Sequence, residues 1–306
     1  MTATRAEVCV VACAEAWRGD GAILASPMGL IPVLGARLAR LTFAPDLLLT
    51  DGEAYLVDAG GEIEGWMPYR EVFTMLAAGR RHVMMGAAQL DRRGNQNISC
   101  IGDWARPKAQ LLGVRGAPGN TINHPVSYWI PRHSPRVFVP RVDMVSGVGY
   151  DRAAAVAGHG AAFHELRVVV TNLAVLDFQT TTRVMRLRSV HPGVTAAEVV
   201  EATGFPLAVP DEVAVTRRPT PEELDLLRGR LDPAGQALVP LDRRLGLRHL
   251  HGHHRRHHDR HGHRHNRRLH HRQAGRHRRR HFHARPAGGL RSPRGYGHRN
   301  FARSVN

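Results

Sequence analysis

Apolar residues along this chain follow two kinds of spacing, and these predict strands and helices in alternation. Short, mostly apolar runs at 22–25, 47–50 and 82–85 are typical of strands that are covered on both faces. Residues 30–43 and 70–80 instead have the spacing of helices with one apolar side. This alternation predicts an α/β fold with an open, mostly parallel sheet and helices on both faces.

Three threonines mark the predicted starts of further helices. Thr4 and Thr195 each have a glutamate three residues later, which is the spacing of a capping box. Thr220 is followed by proline and by acidic residues, which favour the first turn of a helix. Further strands are predicted at 137–139 and between 168 and 178.

The net charge of +17 is concentrated at one end of the chain. Residues 246–306 carry 17 arginines, 15 of the 21 histidines and one acidic residue, a net charge of +16, whereas residues 1–245 carry +1. Residues 246–306 also lack Lys, Glu, Ile, Thr and Met, so they cannot bury enough apolar surface to fold. We therefore expect an α/β domain over 1–245 and a disordered Arg/His-rich tail over 246–306.

The cysteines and the hydropathy of the sequence indicate the cellular compartment of the protein. Cys9, Cys13 and Cys100 do not make a disulfide framework in a chain of 306 residues. The sequence does not open with a signal-peptide pattern, and no run approaches 18 apolar residues. We therefore expect a cytoplasmic protein with no membrane partner.

An acidic loop follows the predicted strand at 47–50. Asp51 and Glu53 flank a glycine there, and a carboxylate at the end of a buried strand can serve as a nucleophile or general base. The same pattern also fits a solvated loop in which an acid caps a turn. The residue pattern leaves both interpretations open.

Two further loops carry candidate binding residues. In the loop over 86–97, the amides of Gln89, Asn95 and Asn97 can bind a ligand, or the Gly-Asn pair can simply make a tight turn. In the loop over 113–124, glycines let backbone N–H groups approach a carbonyl oxygen, as in an oxyanion hole. The Rossmann GxGxxG fingerprint is absent. His124 is either an acid/base group or a structural residue.

Three segments together resemble one family. The loop over 86–97 is similar to the GAxQxDxxGNxN-like loop of CoA-transferases of the glutaconate and 3-oxoacid type, and 113–119 is similar to their glycine-rich loop. Residues 192–205 resemble a PGVTxxEVxxxTGF-like segment near the end of their β subunits. The chain is therefore identified, by resemblance, as a CoA-transferase β subunit.

A closer resemblance lies within that family. The strings at 38–54, 63–69, 79–99 and 113–124 look like the β subunits of actinobacterial steroid-degradation hydrolases. This resemblance implies a cytoplasmic α/β heterotetramer of lipid metabolism that opens a ring of a cholesterol-derived acyl-CoA by hydrolysis of a C–C bond. It implies an α subunit as partner, coenzyme A as part of the substrate, no separate cofactor and no metal.

The family's catalytic glutamate has no identical counterpart here. An ungapped alignment places Asp51 at that position, with Glu53 two residues later. Since aspartate is one methylene shorter, we expect a carboxylate acting as general base for water rather than an acyl-anhydride mechanism. This carboxylate belongs either to this chain or to the α subunit. The alternative is a CoA-transferase that moves CoA between carboxylic acids.

The resemblance also implies roles for individual residues in each loop. Glu53 and Asp51 are expected to form the catalytic acidic pair. Backbone around Gly116 and Gly119 is expected to hold the oxyanion. The expected substrate-positioning side chains are Gln89, Asn95, Asn97, Arg115 and Asn120.

The tail begins where the resemblance ends, near residue 240. Arg-rich disordered segments bind nucleic acid through electrostatics, and His-rich tracts bind zinc or nickel. We favour a third interpretation, a segment without selected function, because GC-rich DNA translated in a shifted or extended frame has this composition. Nucleic-acid binding is then expected only non-specifically, although a polyanion-binding protein driven by the tail remains the competing functional class.

Overall fold

The structure is a computed structural model that describes residues 2–52, 54–156 and 161–238. The predicted catalytic residue Glu53 and the predicted tail over 246–306 lie outside the described residues. The predicted division of the chain after residue 245 therefore stays a prediction. Among the residues described, no helix combines the length and apolar character needed to cross a bilayer.

The α-helices of the described ranges are mostly short, and three of them begin at the predicted threonines. Thr4, Thr195 and Thr220 each form a full capping box with the glutamate three residues later. The helices are α1 (Arg5–Glu15), α2 (Leu30–Leu41), α3 (Tyr69–Ala78), α4 (Ala117–Asn123), α5 (Tyr150–Ala154), α6 (Ala196–Glu201) and α7 (Pro221–Leu226). A π-helical turn over Leu227–Leu231 continues α7, and a short 3₁₀ turn covers Gln236–Leu238.

The strands of the described part form one large sheet and two small ribbons. They are β1 (Leu24–Pro27), β2 (Leu48–Thr50), β3 (Tyr55–Val57), β4 (Ile63–Trp66), β5 (Arg81–Met85), β6 (Gln89–Leu90), β7 (Gln96–Asn97), β8 (Cys100–Ile101), β9 (Ala109–Gln110), β10 (Pro125–Ile130), β11 (Glu165–Thr171), β12 (Ala174–Asp177), β13 (Arg186–Val190) and β14 (Ala214–Val215). β6 pairs with β7 and β8 with β9, and the other ten strands make up the large sheet.

The centre of the large sheet is parallel and its flanks are mostly antiparallel. The strand order is β14-β13-β12-β11-β10-β5-β1-β2-β3-β4. The five strands from β11 to β2 run parallel, whereas β3, β4, β12 and β13 add antiparallel pairs. The predicted α/β class with an open, mostly parallel sheet is confirmed.

The predicted strands need two corrections, one for a strand that is absent and one for a strand that was not predicted. The predicted strand at 137–139 is wrong, because only Phe138 forms an isolated bridge, to Leu90. The central strand β10 was not predicted. Its sequence begins with Pro125, separated from the end of α4 by one residue, and places Ser127 among the apolar residues, so it lacks the uninterrupted apolar run of its neighbours.

A separate apolar core lies on each face of the sheet. On one face, α1 and α2 pack through residues such as Val10 and Leu38, together with Trp17 from the turn after α1. On the other face, Tyr128 and Phe138 belong to a second core that also includes Ala117 of α4. Since α3 packs against α4, the helices after β1 and before β5 lie on opposite faces of the sheet.

Candidate functional site

The carboxyl end of β1 is a point at which the sheet changes its winding direction. β1 pairs in parallel with β2 on one side and with β5 on the other, and the connecting helices lie on opposite faces. Ligands of open α/β sheets bind in the crevice outside the carboxyl ends of the strands at such a point. β2 and β5 lie two strand spacings apart, roughly 10 Å, so the loops after them flank this crevice.

Asp51 lies on the β2 side of the crevice and is exposed. Its Oδ1 accepts hydrogen bonds from the backbone N–H groups of Ala54 at 2.9 Å and Tyr55 at 3.1 Å. The carboxylate therefore holds the turn between β2 and β3. Asp51 is close to Glu53 in sequence, and the catalytic role predicted for Glu53 falls outside the described residues.

Gly52 fits this loop tightly against the end of β1. It has a φ of +92°, and a Cβ atom on it would overlap the carbonyl oxygen of Pro27. Its N–H donates to Oγ1 of the buried Thr50 at 3.1 Å. Only glycine allows this close approach of two backbones, which fixes the acidic loop beside β1.

The turn after β1 lies at the carboxyl end of that strand, beside the crevice, and was not identified from the sequence as part of a site. The N–H of Met28 donates to the carbonyl of Met84 at 2.9 Å, which joins this turn to β5. Gly29 then begins α2 without a side-chain cap. The partial positive charge at the amino end of α2 suits an oxyanion or another anionic group in the crevice.

The predicted amides of the loop after β5 are all buried and hydrogen-bonded within this chain. Gln89 Nε2 donates to Asp143 at 3.0 Å, and its Oε1 accepts from Asn97 Nδ2 at 2.7 Å. Asn95 Nδ2 donates to Asp91 and to Asp151, each at 2.9 Å. These contacts hold the loop in shape. The predicted substrate contacts of the three amides stay a prediction.

The glycine-rich loop leads into α4 above the end of β5. Arg115 and Gly116 both have positive φ values, +44° and +79°, and Gly116 is the N-cap residue of α4. Gly116 and Gly119 lie against Leu76 of α3. The buried Asn120 directs its Nδ2 to Sδ of Met85, the last residue of β5, at 3.9 Å. This loop therefore lies near the β5 side of the crevice.

Arg81 supports this arrangement and was not identified from the sequence. It is 3% exposed and donates to Ser26 Oγ at 2.8 Å and to Asn120 Oδ1 at 3.3 Å. The carboxylates of the described residues form no ion pair with it, and burial lowers its pKa to about 10. The guanidinium thus ties β5 to β1 and α4, and positions Asn120.

His124 is buried beside this guanidinium. Burial, followed by the charge of Arg81, lowers the pKa of His124 below its usual value, so the imidazole is neutral near pH 7. Its Nε2 has no hydrogen-bond partner among the described residues. The side chain is 2% exposed. Both predicted roles of His124, acid/base group or structural residue, stay predictions.

Asp20, His82 and Ser127 form an Asp-His-Ser chain on the face of the sheet that α1 and α2 cover, away from α4. His82 Nδ1 lies 2.7 Å from Asp20 Oδ2, and His82 Nε2 lies 3.0 Å from Ser127 Oγ. Ser127 and His82 are completely buried, and Trp17 packs beside the imidazole. No substrate reaches this serine, so the chain serves as a structural link between strands.

Metal chemistry receives no support from the described ranges, where no group of three His, Cys, Asp or Glu side chains is placed to hold an ion. The prediction that the protein needs no metal remains a prediction.

The sequence of this chain is similar to those of known proteins. Residues 66–202 match the sequence profile of the family described as coenzyme A transferase. The chain is 54% identical over 236 residues to the cholesterol ring-cleaving hydrolase IpdB subunit of Rhodococcus jostii strain RHA1, covering 75% of this chain and 93% of that protein. The chain belongs to the coenzyme A transferase family. The predicted family membership is therefore confirmed.

Other members of the coenzyme A transferase family are also similar. The crystal structure of Rhodococcus jostii RHA1 IpdAB matches with a TM-score of 0.74 and 52% identity, covering 78% of this chain and 98% of that chain. One of the subunits of the 3-oxoadipate CoA-transferase of Pseudomonas knackmussii is 30% identical over 233 residues, covering 68% of this chain and 86% of that protein. The family thus includes both hydrolase and transferase subunits.

Proposed function

We propose that this chain is the β subunit of a two-subunit hydrolase that opens a steroid-derived ring attached to coenzyme A. The observation that carries the proposal is the 54% identity across 93% of a cholesterol ring-cleaving hydrolase subunit. The crevice beside β1, with an acidic loop on one side and a glycine-rich loop on the other, supports it. We further propose an α2β2 enzyme of cholesterol catabolism in the cytoplasm.

The proposed chemistry needs a base, an oxyanion site and a proton donor. A carboxylate takes a proton from water, and the oxygen attacks the ring ketone. The C–C bond then breaks as the ketone carbon becomes a carboxylic acid. The electron pair of that bond is taken up as an enolate with the neighbouring carbonyl, and the protonated base returns its proton to the enolate carbon. Backbone N–H groups around Gly116 and Gly119 hold the oxyanion. Arg115 positions the acyl-CoA, and the buried Asn120 supports the glycine-rich loop from behind.

The environment of Asp51 favours hydrolysis over acyl transfer. Its Oδ1 accepts two backbone N–H groups of the β2–β3 turn, which fixes the carboxylate in the turn and restricts its approach to an acyl group. Its side chain is also one methylene shorter than the glutamate of the transferases, and a displacement of about 1 Å harms a reaction of this kind. We therefore assign the base to Glu53 first.

A CoA-transferase is the second candidate function. The 30% identity to a 3-oxoadipate CoA-transferase subunit supports it. A transferase needs a carboxylic acid to accept CoA, whereas a hydrolase needs only water. The two candidates therefore differ in a property that a single assay can measure.

The test is an assay with and without an acceptor acid. The full chain is co-expressed with its cognate α-type subunit, and consumption of a steroid-ring CoA thioester is followed. Consumption without the acid, with CoA still attached to the product, supports the hydrolase. Consumption only with the acid, with CoA transferred to it, refutes the hydrolase and establishes the transferase.

A further inference from the structure

The hairpin of β3 and β4 exposes three large apolar side chains on one of its faces. Tyr55 pairs with Trp66 and Val57 pairs with Ile63, and the pairing is irregular at this point because Glu64 is an extra residue. Since Tyr55 and Val57 lie two residues apart, their side chains and those of their partners share one face. The bulge is what brings Ile63 and Trp66 to the same side.

This hairpin face starts in the core and continues into solvent. Val57 is buried in the core beneath α1 and α2, whereas Ile63 is 64% and Trp66 is 68% exposed. Isolated exposed apolar residues are ordinary, but several on one face of an edge hairpin mark an interaction surface. β4 is also an edge strand of the sheet, which natural proteins usually cover or protect.

Charge argues against a second copy of this chain as the occupant. Residues 51–71 contain six acidic residues and one arginine, a net charge of −5, whereas the whole of residues 1–245 carries +1. Arg40 of α2 pairs with Glu64 at 3.6 Å and Arg37 lies near Asp58, which leaves the segment acidic at −3. A symmetric dimer through this surface would place the same acidic segment against itself. Like charges facing each other across an interface are unfavourable.

The tail over 246–306 has the opposite charge but the wrong composition. It carries +16, yet it lacks Ile and Met and has few other large apolar residues. It therefore offers little to cover Ile63 and Trp66. A partner with an apolar centre and a basic rim fits both the apolar residues and the acidic segment.

The hairpin is continuous with the acidic loop of the crevice. The N–H of Asp51 donates to the carbonyl of Tyr55 at 3.0 Å, and the N–H of Met67 donates to the carbonyl of Ala54 at 2.6 Å. We propose that the face formed by Tyr55, Ile63 and Trp66 binds the α subunit, which presents an apolar surface with a basic rim and closes the crevice beside β1. This inference rests on the proposed two-subunit function.

Thiol labelling tests the interface directly. Ile63→Cys is made in the full chain, and Val215→Cys is the matched control, since Val215 is also 64% exposed and lies in β14, the opposite edge strand. The three natural cysteines are buried. Maleimide labelling is measured for the chain alone and for its complex with the co-expressed α subunit. We expect the rate to fall at least tenfold in the complex for Ile63→Cys and to stay unchanged for Val215→Cys.

Several labelling results would overturn the inference. Equal labelling of Ile63→Cys in the free and bound chain overturns it while leaving the two-subunit proposal intact. A thiol that is already protected in the chain alone, and becomes accessible on truncation after Gly246, identifies the tail as occupant. Failure of the wild-type chain to assemble with the α subunit refutes the two-subunit proposal, and the inference with it.

Charge substitutions give an independent measurement. Ile63→Glu combined with Trp66→Glu should abolish assembly with the α subunit in light scattering, with an unchanged circular dichroism spectrum. Val215→Glu should assemble as the wild type does. Normal assembly of the double variant contradicts the proposal, and so does a homo-oligomer of the chain alone that the double substitution dissociates.

Discussion

At the scale of single residues, the contacts of Asp51 decide how the two acids of the loop after β2 are ranked. Asp51 is engaged by backbone N–H groups of its own turn, while Glu53 lies outside the described residues. A base must accept a proton from water, and an oxygen that already accepts two fixed N–H donors is poorly placed to do so. The engagement of Asp51 Oδ1 in its own turn is the reason that we assign the base to Glu53 first.

Replacing Glu53 tests the assigned base. Glu53→Gln should lower kcat by about 10²-fold or more, because general-base catalysis contributes roughly that factor, while KM changes little. Glu201→Gln, at an exposed acid of α6 outside the acidic segment, is the control and should keep wild-type activity. Steady-state kinetics of the assembled enzyme give the answer, and wild-type turnover by a folded Glu53→Gln enzyme removes Glu53 from the mechanism.

Buried histidines predict how stability depends on pH. Burial lowers the pKa of His133 to about 3 and that of His191 to about 4. Between these values and the unfolded value of about 6.5, the unfolded chain binds more protons than the folded chain, so stability falls as pH falls. Each histidine contributes a slope of about 1.4 kcal/mol per pH unit within its window.

The measurement is urea unfolding of the full chain at several pH values from 7 to 4.5. The His133→Gln variant should show a shallower decrease of the unfolding free energy with falling pH than the wild type. His133 is hydrogen-bonded to Thr171 at 3.1 Å and Thr203 at 3.0 Å, so the variant is also expected to be less stable at pH 7. Identical pH slopes for both proteins would contradict the assignment.

Sequence reasoning at this scale identified the loops but not their internal partners. Asp51 and the amides of 89–97 stood out because polar residues follow apolar strands. Arg81 did not, because an arginine before a strand reads as an ordinary surface charge. Its burial follows from α4, which covers it through Asn120, and such a long-range contact has no local signal.

At the scale of elements, the position of the acidic loop depends on one glycine. Gly52→Ala should destabilise the protein by about 1–3 kcal/mol, since it combines a strained φ with overlap of the Pro27 carbonyl. Gly193→Ala is the matched control, because Gly193 has a φ of +81° with no atom within 4 Å of an added Cβ. Its cost should be only that of the backbone conformation, about 1 kcal/mol.

Thermal unfolding of the two variants measures the difference. A larger loss of stability for Gly52→Ala than for Gly193→Ala isolates the contact between the acidic loop and β1. Equal losses would show that the loop is not held against β1 as described.

Local signals determined which elements could be predicted. The helices with capping threonines were predicted because a capping box is a pattern of four consecutive residues. The strand β10 was missed although it is central. Its burial follows from pairing with β5 and β11 and is not indicated by an uninterrupted apolar run in its own sequence. The bulge in β4, on which the proposed interface depends, is likewise a property of the pairing.

At the scale of the whole molecule, the tail over 246–306 is expected to be dispensable for the activity of residues 1–245. Truncation after Gly246 should leave folding and activity of the assembled enzyme unchanged, because residues 1–245 include all the candidate site residues. The measurement compares kcat and thermal midpoints of the full and truncated chains, each with the α subunit. A large loss of activity on truncation would assign a function to the tail.

The tail also provides the test of the competing functional class. A polyanion-binding protein driven by the tail would bind nucleic acid with a steep salt dependence, and removal of 246–306 would abolish that binding. The metabolic function predicts no specific nucleic-acid site in residues 1–245.

The central claim is hydrolysis of a ring C–C bond with coenzyme A retained, and the source of the new oxygen tests it most directly. The assembled enzyme is supplied with its steroid-ring CoA thioester in water enriched in oxygen-18, and the product is analysed by mass spectrometry. We predict one heavy oxygen in a newly formed carboxylate and an intact CoA thioester. A product without heavy oxygen in a new carboxylate, or one that has lost CoA to another acid, would contradict the account.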